Sequence, residues 1–246
     1  MQRTVIVTGS SGGIGTKICE AFKAENWTVI GIDKSDAFKT HCDHHITLDL
    51  EDLGTKNDNL LRKSLAKIEE VHGRLKVDTL INNAGVQICC DFDKLTTKDF
   101  QKTFAVNLFA PFQLIKTISS NYSGPNLRIV NIGSIHSDLS KSGFAAYAAS
   151  KAALRTMTTT LAIELGDRAT LCLIEPGAIN TKMLQAGFPN QPGFIDLLSK
   201  LHPSGCIGEP ESLAEIAVFL STMPSKFING CVLNFDGGVR GMLTDL

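Results

Sequence analysis

Short apolar runs and longer amphipathic stretches alternate along the whole chain. Residues 4–7 form a continuous apolar run, which is typical of a strand buried on both faces of a parallel sheet. Ile14, Ile18 and Phe22 then recur every four residues and predict one apolar face of a helix over 13–25. The same two patterns predict further strands at 28–32, 45–48, 79–81, 128–132, 171–174 and 231–235, and further helices at 51–72, 97–120, 145–165 and 212–221.

Strict alternation of strands and helices predicts an α/β fold. We expect a doubly wound, Rossmann-type parallel sheet of about seven strands with helices on both faces. The chain has 246 residues and no internal repeat or linker, which favours a single domain over 1–246. Residues 178–210 are rich in Gly, Pro and Asn and exceed an ordinary connection in length, which predicts a lid near 180–210. The alternative is a surface loop with no role.

Composition and charge narrow the classes of protein to consider. The net charge is −1 and 43% of the residues are hydrophobic, which is ordinary for a folded chain and gives no basic footprint for nucleic acid. No apolar run approaches the roughly 18–20 residues that cross a membrane. The seven cysteines form no CxxC pair, and the first residues do not resemble an export signal. We therefore expect reduced thiols, a cytoplasmic location, no nucleic-acid partner and no membrane.

A glycine-rich turn joins the first predicted strand to the first predicted helix. Glycines at this place allow a tight turn and a close approach of the backbone to a diphosphate, and the helix N-terminus then faces the phosphates. A plain flexible turn is the alternative, but the strand–turn–helix context favours a dinucleotide site. The residues predicted to bind a cofactor here are Gly9, Ser11, Gly13, Ile14 and Gly15.

Asp33 ends the second predicted strand and bears on the choice of cofactor. A carboxylate at this place accepts hydrogen bonds from both ribose hydroxyls of an adenosine and repels a 2′-phosphate. Gly12 stands where a 2′-phosphate site would favour Arg or Lys, whereas Lys34 is a contrary feature. The sequence therefore favours NAD over NADP.

A tyrosine and a lysine are spaced for cooperation near the start of the helix over 145–165. Tyr147 and Lys151 are four residues apart, which puts the phenol and the ammonium on one helical face. A cation beside a phenol favours the phenolate and lowers its pKa from about 10. Ser134 follows the strand over 128–132 and can reach the same substrate oxygen. Alone, a Tyr-xxx-Lys pair is more often coincidental than catalytic.

Together these motifs resemble the short-chain dehydrogenase/reductase family. They occur in the family's order and span nearly the whole chain. The matching residues are the glycine turn 8–15, the Asn-Asn-Ala-Gly run 82–85, Asn107, Ser134, Tyr147, Lys151, the Pro-Gly pair 176–177 and the Asp-Gly-Gly run 236–238.

The resemblance implies a role for each catalytic residue. Tyr147 would exchange a proton with the substrate oxygen, and Ser134 would donate a hydrogen bond to that oxygen. Lys151 would hold the nicotinamide ribose and lower the pKa of Tyr147, and Asn107 would anchor a water that feeds a proton relay. The further cofactor contacts that the resemblance implies are Asp49, Asn83, Ala84, Gly85, Pro176, Gly177, Ile179 and Thr181.

Residues between and beyond the motifs form the predicted substrate pocket. His136 and Phe144 flank the loop between Ser134 and Tyr147, and Met183, Leu184 and Phe188 belong to the predicted lid. Cys89 and Cys90 border the pocket in sequence, but without a cationic neighbour they are interpreted as inert thiols. We predict no metal site. The run 41–45 is rich in His, yet its side chains cannot all converge from one extended segment.

The sequence departs from the family pattern at three places. Gly133 replaces a more usual Ser, and the connection between the second and third strands is too short for the usual helix. Glu175 stands where small neutral residues are commoner. It either faces the pocket, where it would favour a cationic or polyhydroxylated substrate, or is solvated or paired at the end of its strand.

Pro111 interrupts the helix over 97–120. Proline has no N–H for the carbonyl of Asn107 four residues earlier, which leaves that carbonyl free. The kinked helix can host a water there, or it bends only for packing.

These observations predict an NAD-dependent alcohol dehydrogenase or carbonyl reductase acting on a secondary alcohol or ketone. An NADP-dependent 3-oxoacyl-thioester reductase of acyl carrier protein substrates shares the motifs and is the alternative. A non-catalytic dinucleotide sensor needs only the glycine turn and Asp33, so the catalytic residues argue against it. Apolar residues on several faces of the helices over 97–120 and 145–165 predict a homodimer or homotetramer.

Overall fold

The structure is a computed structural model that describes residues 2–35, 41–56, 58–187 and 193–242. Its strands are β1 (Thr4–Thr8), β2 (Thr28–Asp33), β3 (His44–Thr47), β4 (Val77–Asn82), β5 (Ser123–Ile132), β6 (Ala169–Pro176) and β7 (Cys231–Phe235). Within the described residues they form one parallel sheet in the order β3-β2-β1-β4-β5-β6-β7. The predicted fold class is confirmed.

Helices lie in the connections between most of the strands. They are α1 (Gly13–Ala24), α2 (Leu50–Thr55), α3 (Asn59–His72), α4 (Thr97–Phe104), α5 (Ala110–Asn121), α6 (Ala145–Leu165), α7 (Lys182–Ala186), α8 (Phe194–Leu201) and α9 (Pro210–Thr222).

Both faces of the sheet are buried, which accounts for the continuous apolar runs of its strands. Ile6 of β1 belongs to one core, whereas its neighbours Val5 and Val7 belong to the other. The first core also contains Leu114 of α5, and the second contains Phe22 of α1. Successive side chains of a central strand therefore point to opposite faces of the sheet, and both faces are packed against apolar residues of helices.

The helix predicted over 51–72 is two helices, α2 and α3. Asp49 starts α2 because its side chain accepts a hydrogen bond from the backbone N–H of Glu51 at 2.9 Å. Asp58 precedes α3, where its carboxylate accepts from the Thr117 hydroxyl at 2.7 Å and from Arg62 at 2.6 Å. The contact with Thr117 is long-range, so local periodicity gives no sign of the break.

The interruption predicted in the helix over 97–120 is a π-helical turn over Ala105–Phe109. The N–H of Ala110 bonds to the carbonyl of Ala105, five residues earlier. Pro111 then lies in the first turn of α5, where a missing N–H is tolerated. The turn therefore precedes the proline, and it includes Asn107.

The segment after β6 forms two short helices rather than an unstructured loop. Helices α7 and α8 occupy part of the predicted lid, and an isolated bridge pairs Ile179 with Gly208 beside them. Phe188 of the predicted lid lies outside the described residues, as do residues 36–40 between β2 and β3. In that connection the described positions, 34, 35 and 41–43, contain no helix.

Two predictions about surroundings can be compared with the surface. Phe109 and Phe112 are apolar residues of the segment 97–120, whose apolar faces predict an oligomer; they are 46% and 39% exposed, and self-association remains a prediction. Among the described helices none is both long and apolar enough to cross a membrane.

Candidate active site

A cavity of about 790 Å³ opens at the carboxyl edge of the sheet. Strands β1 and β4 are neighbours there, and the chain leaves them in opposite directions, which is where doubly wound sheets bind ligands. Twenty-one predicted site residues line this cavity, whereas Asn107 is buried and is not part of the lining. Those lining it are Gly9, Ser11, Gly13, Ile14, Gly15, Asp33, Asp49, Asn83, Ala84, Gly85, Ser134, His136, Phe144, Tyr147, Lys151, Pro176, Gly177, Ile179, Thr181, Met183 and Leu184.

The glycine turn is held against the end of β4. The Thr8 hydroxyl accepts hydrogen bonds from the backbone N–H groups of Asn83 and Ala84, each at 3.0 Å. The Asn83 amide donates back to the Thr8 carbonyl at 2.9 Å. Gly9 has φ +65°, and a Cβ on Gly15 would lie 2.0 Å from the Gly9 carbonyl oxygen. Only glycine fits at positions 9 and 15.

The cradle suits the diphosphate of a dinucleotide. Helix α1 begins in it, and the cap residue Gly12 provides no side-chain hydrogen bond to the first turn. The unpaired N–H groups and the positive end of the helix dipole favour an anion at this point.

Asp33 lines the same cavity at the end of β2. Its carboxylate accepts hydrogen bonds from the backbone of Ser11 at 3.1 Å and Ser35 at 3.0 Å, which fixes the side chain beside the glycine turn. The remaining lone pairs of the two oxygens suit ribose hydroxyls. Lys34 also lines the cavity, so the contrary feature seen in the sequence persists in the structure.

Ser134, Tyr147 and Lys151 meet at the other end of the cavity. Ser134 is buried and caps the turn after β5 by accepting from the N–H of His136 at 3.2 Å. Lys151 is 4% exposed, its ammonium donates to the Ile132 carbonyl at 2.8 Å, and it lies 5.8 Å from the centre of the Tyr147 ring.

Burial is the largest influence on the pKa values of Tyr147 and Lys151. It raises the pKa of Tyr147 because the phenolate is disfavoured away from water, and the Ser134 hydroxyl opposes this by hydrogen bonding. Burial lowers the pKa of Lys151 to about 8, against the opposite pull of Glu175. The lowered tyrosine pKa expected from the sequence is therefore not found in this structure.

Asn107 acts on the site from the π-helical turn. Its side-chain oxygen accepts from the Val86 N–H at 2.8 Å, and its amide donates to the Val86 carbonyl at 2.9 Å and to the Ser150 hydroxyl at 3.0 Å. Ser150 in turn donates to the Tyr147 carbonyl at 2.7 Å. Asn107 thus joins α6 to the segment after β4, and a water-anchoring role remains a prediction.

The segment after β6 is pinned before it enters the lid. The Gly177 N–H donates to Phe235 at 2.9 Å and the Asn180 N–H to Gly208 at 2.8 Å. Thr181 caps α7 by accepting from the Leu184 N–H at 3.3 Å. These bonds hold 176–181 along the cavity, as a nicotinamide contact requires.

Aromatic rings form one wall of the substrate side. The rings of His136 and Phe144 pack at 4.6 Å with their planes tilted by 41°, and both lie 6.0 Å from the ring of Tyr147. Burial lowers the pKa of His136, which favours a neutral ring. Met183 and Leu184 of α7 line the cavity with them.

His202 is a cavity residue that the sequence did not indicate. It is 8% exposed and follows α8, and its Nδ1 lies 2.7 Å from the Leu198 carbonyl. A carbonyl only accepts, so Nδ1 carries a proton and donates a hydrogen bond to Leu198. Among the described residues Nε2 is buried without a hydrogen-bond partner. A lone histidine in a loop gives no sequence signal of this arrangement.

Glu175 is buried and paired, not solvated. It is 0% exposed and does not belong to the cavity lining, and its carboxylate lies 2.6 Å from the Arg240 guanidinium. The alternative of a pocket-facing carboxylate is therefore wrong.

The cysteine and histidine candidates differ in position. Cys89 lines the cavity, and Lys141 supplies the cationic neighbour that the sequence did not show. Burial nevertheless raises the pKa of Cys89, which does not favour a reactive thiolate. In the run 41–45, His41 faces Glu20 at 3.3 Å, whereas His45 lies 3.1 Å from the Ser35 carbonyl.

Comparison with known proteins places these features in a family context. The family model described as short chain dehydrogenase matches residues 3–192. 3beta-hydroxysteroid dehydrogenase 1 of Eggerthella lenta is 30% identical, over 96% of this chain and 93% of its own. NAD-dependent glycerol dehydrogenase of Listeria innocua is 31% identical over the same shares.

Solved structures agree in fold. Ligand-free aldohexose dehydrogenase of Thermoplasma acidophilum superposes with a TM-score of 0.90 at 26% identity, covering 100% of this chain and 96% of its own. Other similar structures include ElxO with NADP bound and 4-hydroxyisoleucine dehydrogenase complexed with NADH.

Proposed function

The chain belongs to the short-chain dehydrogenase family, and on that premise we propose that it is a cytoplasmic, NAD(H)-dependent oxidoreductase. It transfers a hydride between nicotinamide and a secondary alcohol or ketone. One observation carries the proposal: a single cavity joins the glycine cradle and Asp33 at one end to Ser134, Tyr147 and Lys151 at the other.

The side chains at the catalytic end divide the chemistry. When bound, the nicotinamide supplies or accepts the hydride. Tyr147 takes the proton from the substrate hydroxyl in oxidation and returns it in reduction, and Ser134 donates a hydrogen bond to the same oxygen. While the proton is on the substrate oxygen, Tyr147 is a phenolate, and the buried Lys151 ammonium stabilises its negative charge.

Asp33 supports NAD as the cofactor. Because two backbone N–H groups fix its carboxylate beside the glycine turn, a 2′-phosphate would have to approach a held negative charge. Like charges brought together cost several kcal/mol, and about 1.4 kcal/mol is tenfold in affinity. Lys34 offsets only part of this cost, since it is exposed to water.

A substrate and cofactor screen tests the function directly. NADH and NADPH are titrated by fluorescence, and secondary alcohols, ketones and 3-oxoacyl thioesters are then screened with both cofactors by absorbance. We expect turnover of an alcohol or ketone with NAD(H). Binding without turnover would favour a sensor, and thioester reduction with NADPH would favour the alternative reductase.

The Asp33→Ala variant should gain NADP use. Removing the held carboxylate relieves its repulsion of a 2′-phosphate and removes its bonds to the ribose. We expect the NAD/NADP ratio of kcat/KM to fall about 100-fold. Lys34→Ala is the matched control and should move the ratio the other way. An unchanged ratio in Asp33→Ala would mean that another group sets the preference.

The His202→Phe variant should weaken binding of a substrate that carries a second hydroxyl besides the reacting one. Phenylalanine keeps a ring but removes both ring nitrogens, the buried Nε2 and the Nδ1 that donates to Leu198, and a lost buried hydrogen bond costs about 1–3 kcal/mol. We expect the KM for butane-2,3-diol to rise about tenfold and that for butan-2-ol to stay unchanged. If KM rises equally for both alcohols and NADH also binds more weakly, His202 contacts the nicotinamide carboxamide instead of the substrate. Unchanged constants would contradict a ligand contact.

A further inference from the structure

Glu175 is the buried centre of a charge cluster next to the candidate active site. Its carboxylate lies 2.6 Å from Arg240 and 3.6 Å from Arg155, and it accepts a hydrogen bond from the Ser137 hydroxyl. Asp138 bridges the cluster, 3.0 Å from Arg240 and paired with Arg155. A fully buried carboxylate is costly unless it is paired in this way.

Gly133 provides the space that Glu175 occupies. A Cβ at position 133 would lie 3.1 Å from the Glu175 Cγ and 3.2 Å from the Ile174 carbonyl. The Gly133 N–H also donates to that carbonyl at 2.7 Å, which holds the two strand ends together. The departures from the family pattern at positions 133 and 175 therefore touch each other and form one arrangement.

This arrangement adjoins both sides of the catalytic end. On one side Ser137 belongs to the turn that Ser134 caps, so the Glu175 carboxylate fixes that turn at its far end. On the other side Lys151 donates to Ile132, which directly precedes Gly133. Arg240 extends the cluster to the turn that contains Val239, a residue of the cavity wall.

The formal charges around the cluster balance only when Lys151 is counted. Glu175, Asp138 and Asp236 are negative, whereas Arg155 and Arg240 supply two positive charges; Asp236 lies 3.9 Å from Arg240. Lys151 is the third cation, and the negative charge of Glu175 raises its pKa against burial. The groups acting on the neighbouring Tyr147 are Ser134 and Cys89.

We propose that Glu175 is a positioning residue of the active site: it holds the Ser134 turn through Ser137 and favours the charged form of Lys151. The proposal rests on the proposed function for its effect on turnover. The two parts of the proposal can be tested independently, because the first depends on the hydrogen bond from Ser137 and the second on the charge of Glu175.

The Ser137→Ala variant tests the hydrogen bond. It cuts the link to the Ser134 turn but leaves the Glu175 charge in place. We expect kcat to fall about tenfold or more, because small displacements of catalytic groups are costly. The Kd for NADH and the alkaline limb of the pH profile should not move. Wild-type kcat in this variant would overturn the positioning of Ser134.

The Glu175→Gln variant tests the charge. Glutamine keeps the size and a hydrogen bond to Ser137, and Arg240 retains Asp138 and Asn234 at 2.9 Å. We expect the Lys151 titration, followed by NMR of ¹³Cε-labelled lysine, to move down by about one pH unit. The alkaline limb of kcat should move with it. Glu211→Gln, an exposed carboxylate paired with Lys17, is the matched control and should change neither.

The lysine titration needs no substrate, so it tests the charge even when the screen finds no turnover. The Lys151 resonance is identified by its absence in Lys151→Met. A wild-type Lys151 titration in folded Glu175→Gln overturns this part of the proposal. If Glu175→Gln does not fold, as thermal unfolding would reveal, Ser137→Ala still decides the other part.

Discussion

The Tyr147→Phe variant is expected to lose turnover about a thousandfold and to bind NADH as the wild type does. General acid–base catalysis contributes about 10²–10⁴-fold, and the phenol is the group that exchanges the proton in the proposed reaction. Phenylalanine keeps the ring that packs against His136 and Phe144, so the shape of the wall is preserved. Steady-state turnover and NADH fluorescence titration measure the two effects.

The other tyrosine provides a matched control. Tyr122 is 9% exposed and packs in the core beside α5, so Tyr122→Phe removes a hydroxyl without touching the cavity. We expect it to keep wild-type kcat. Near-normal turnover in Tyr147→Phe would refute the proposed mechanism, whereas equal losses in both variants would point to a general effect on stability.

The pH dependence of oxidation follows from the same two groups. Oxidation needs the phenolate, and burial raises the pKa of Tyr147, so the rate should increase with pH through the neutral range. Lys151 supports the phenolate only while protonated, and its pKa is about 8. We expect the rate to level off or fall once Lys151 loses its proton, and the rising limb to be absent in Tyr147→Phe.

Features that depend on local sequence were predicted well. The helix over 145–165 and the strand over 231–235 have the predicted bounds, because their periodic patterns are uninterrupted. The glycine turn was recognisable for the same reason: the steric demand on Gly15 comes from Gly9, six residues earlier. These local motifs line one cavity because the carboxyl ends of the parallel strands meet at one edge of the sheet.

Features that depend on distant partners were missed. Glu175 is buried because Arg240, 65 residues later, and Gly133, directly after the neighbouring strand β5, accommodate it. The π-helical turn is locked by Asn107 bonds to Val86 and Ser150. Such pairings leave no periodic trace in the sequence, so the sequence left Glu175 open between a pocket-facing position and a solvated or paired one.

The Gly15→Ala variant should nearly abolish cofactor binding. The added Cβ would lie 2.0 Å from the Gly9 carbonyl oxygen and 2.8 Å from the Asn83 amide nitrogen, so the cradle must open. Overpacking typically costs about 1–3 kcal/mol, and here the obstacle is backbone that cannot rotate away. We expect the Kd for NADH to rise more than about 100-fold, with a lower Tm.

The neighbouring Gly12 isolates the steric cause. A Cβ there would meet only the Gly9 carbonyl oxygen, at 3.2 Å, which a small shift relieves. Gly12→Ala should therefore keep NADH affinity within a few-fold of the wild type, although it adds the same methyl group to the same turn. NADH titration below the Tm of each variant measures the difference. Equal losses in the two variants would mean that flexibility of the turn, rather than the close approach at Gly15, governs binding, and an unchanged Kd in Gly15→Ala would remove the cradle from the proposed cofactor site.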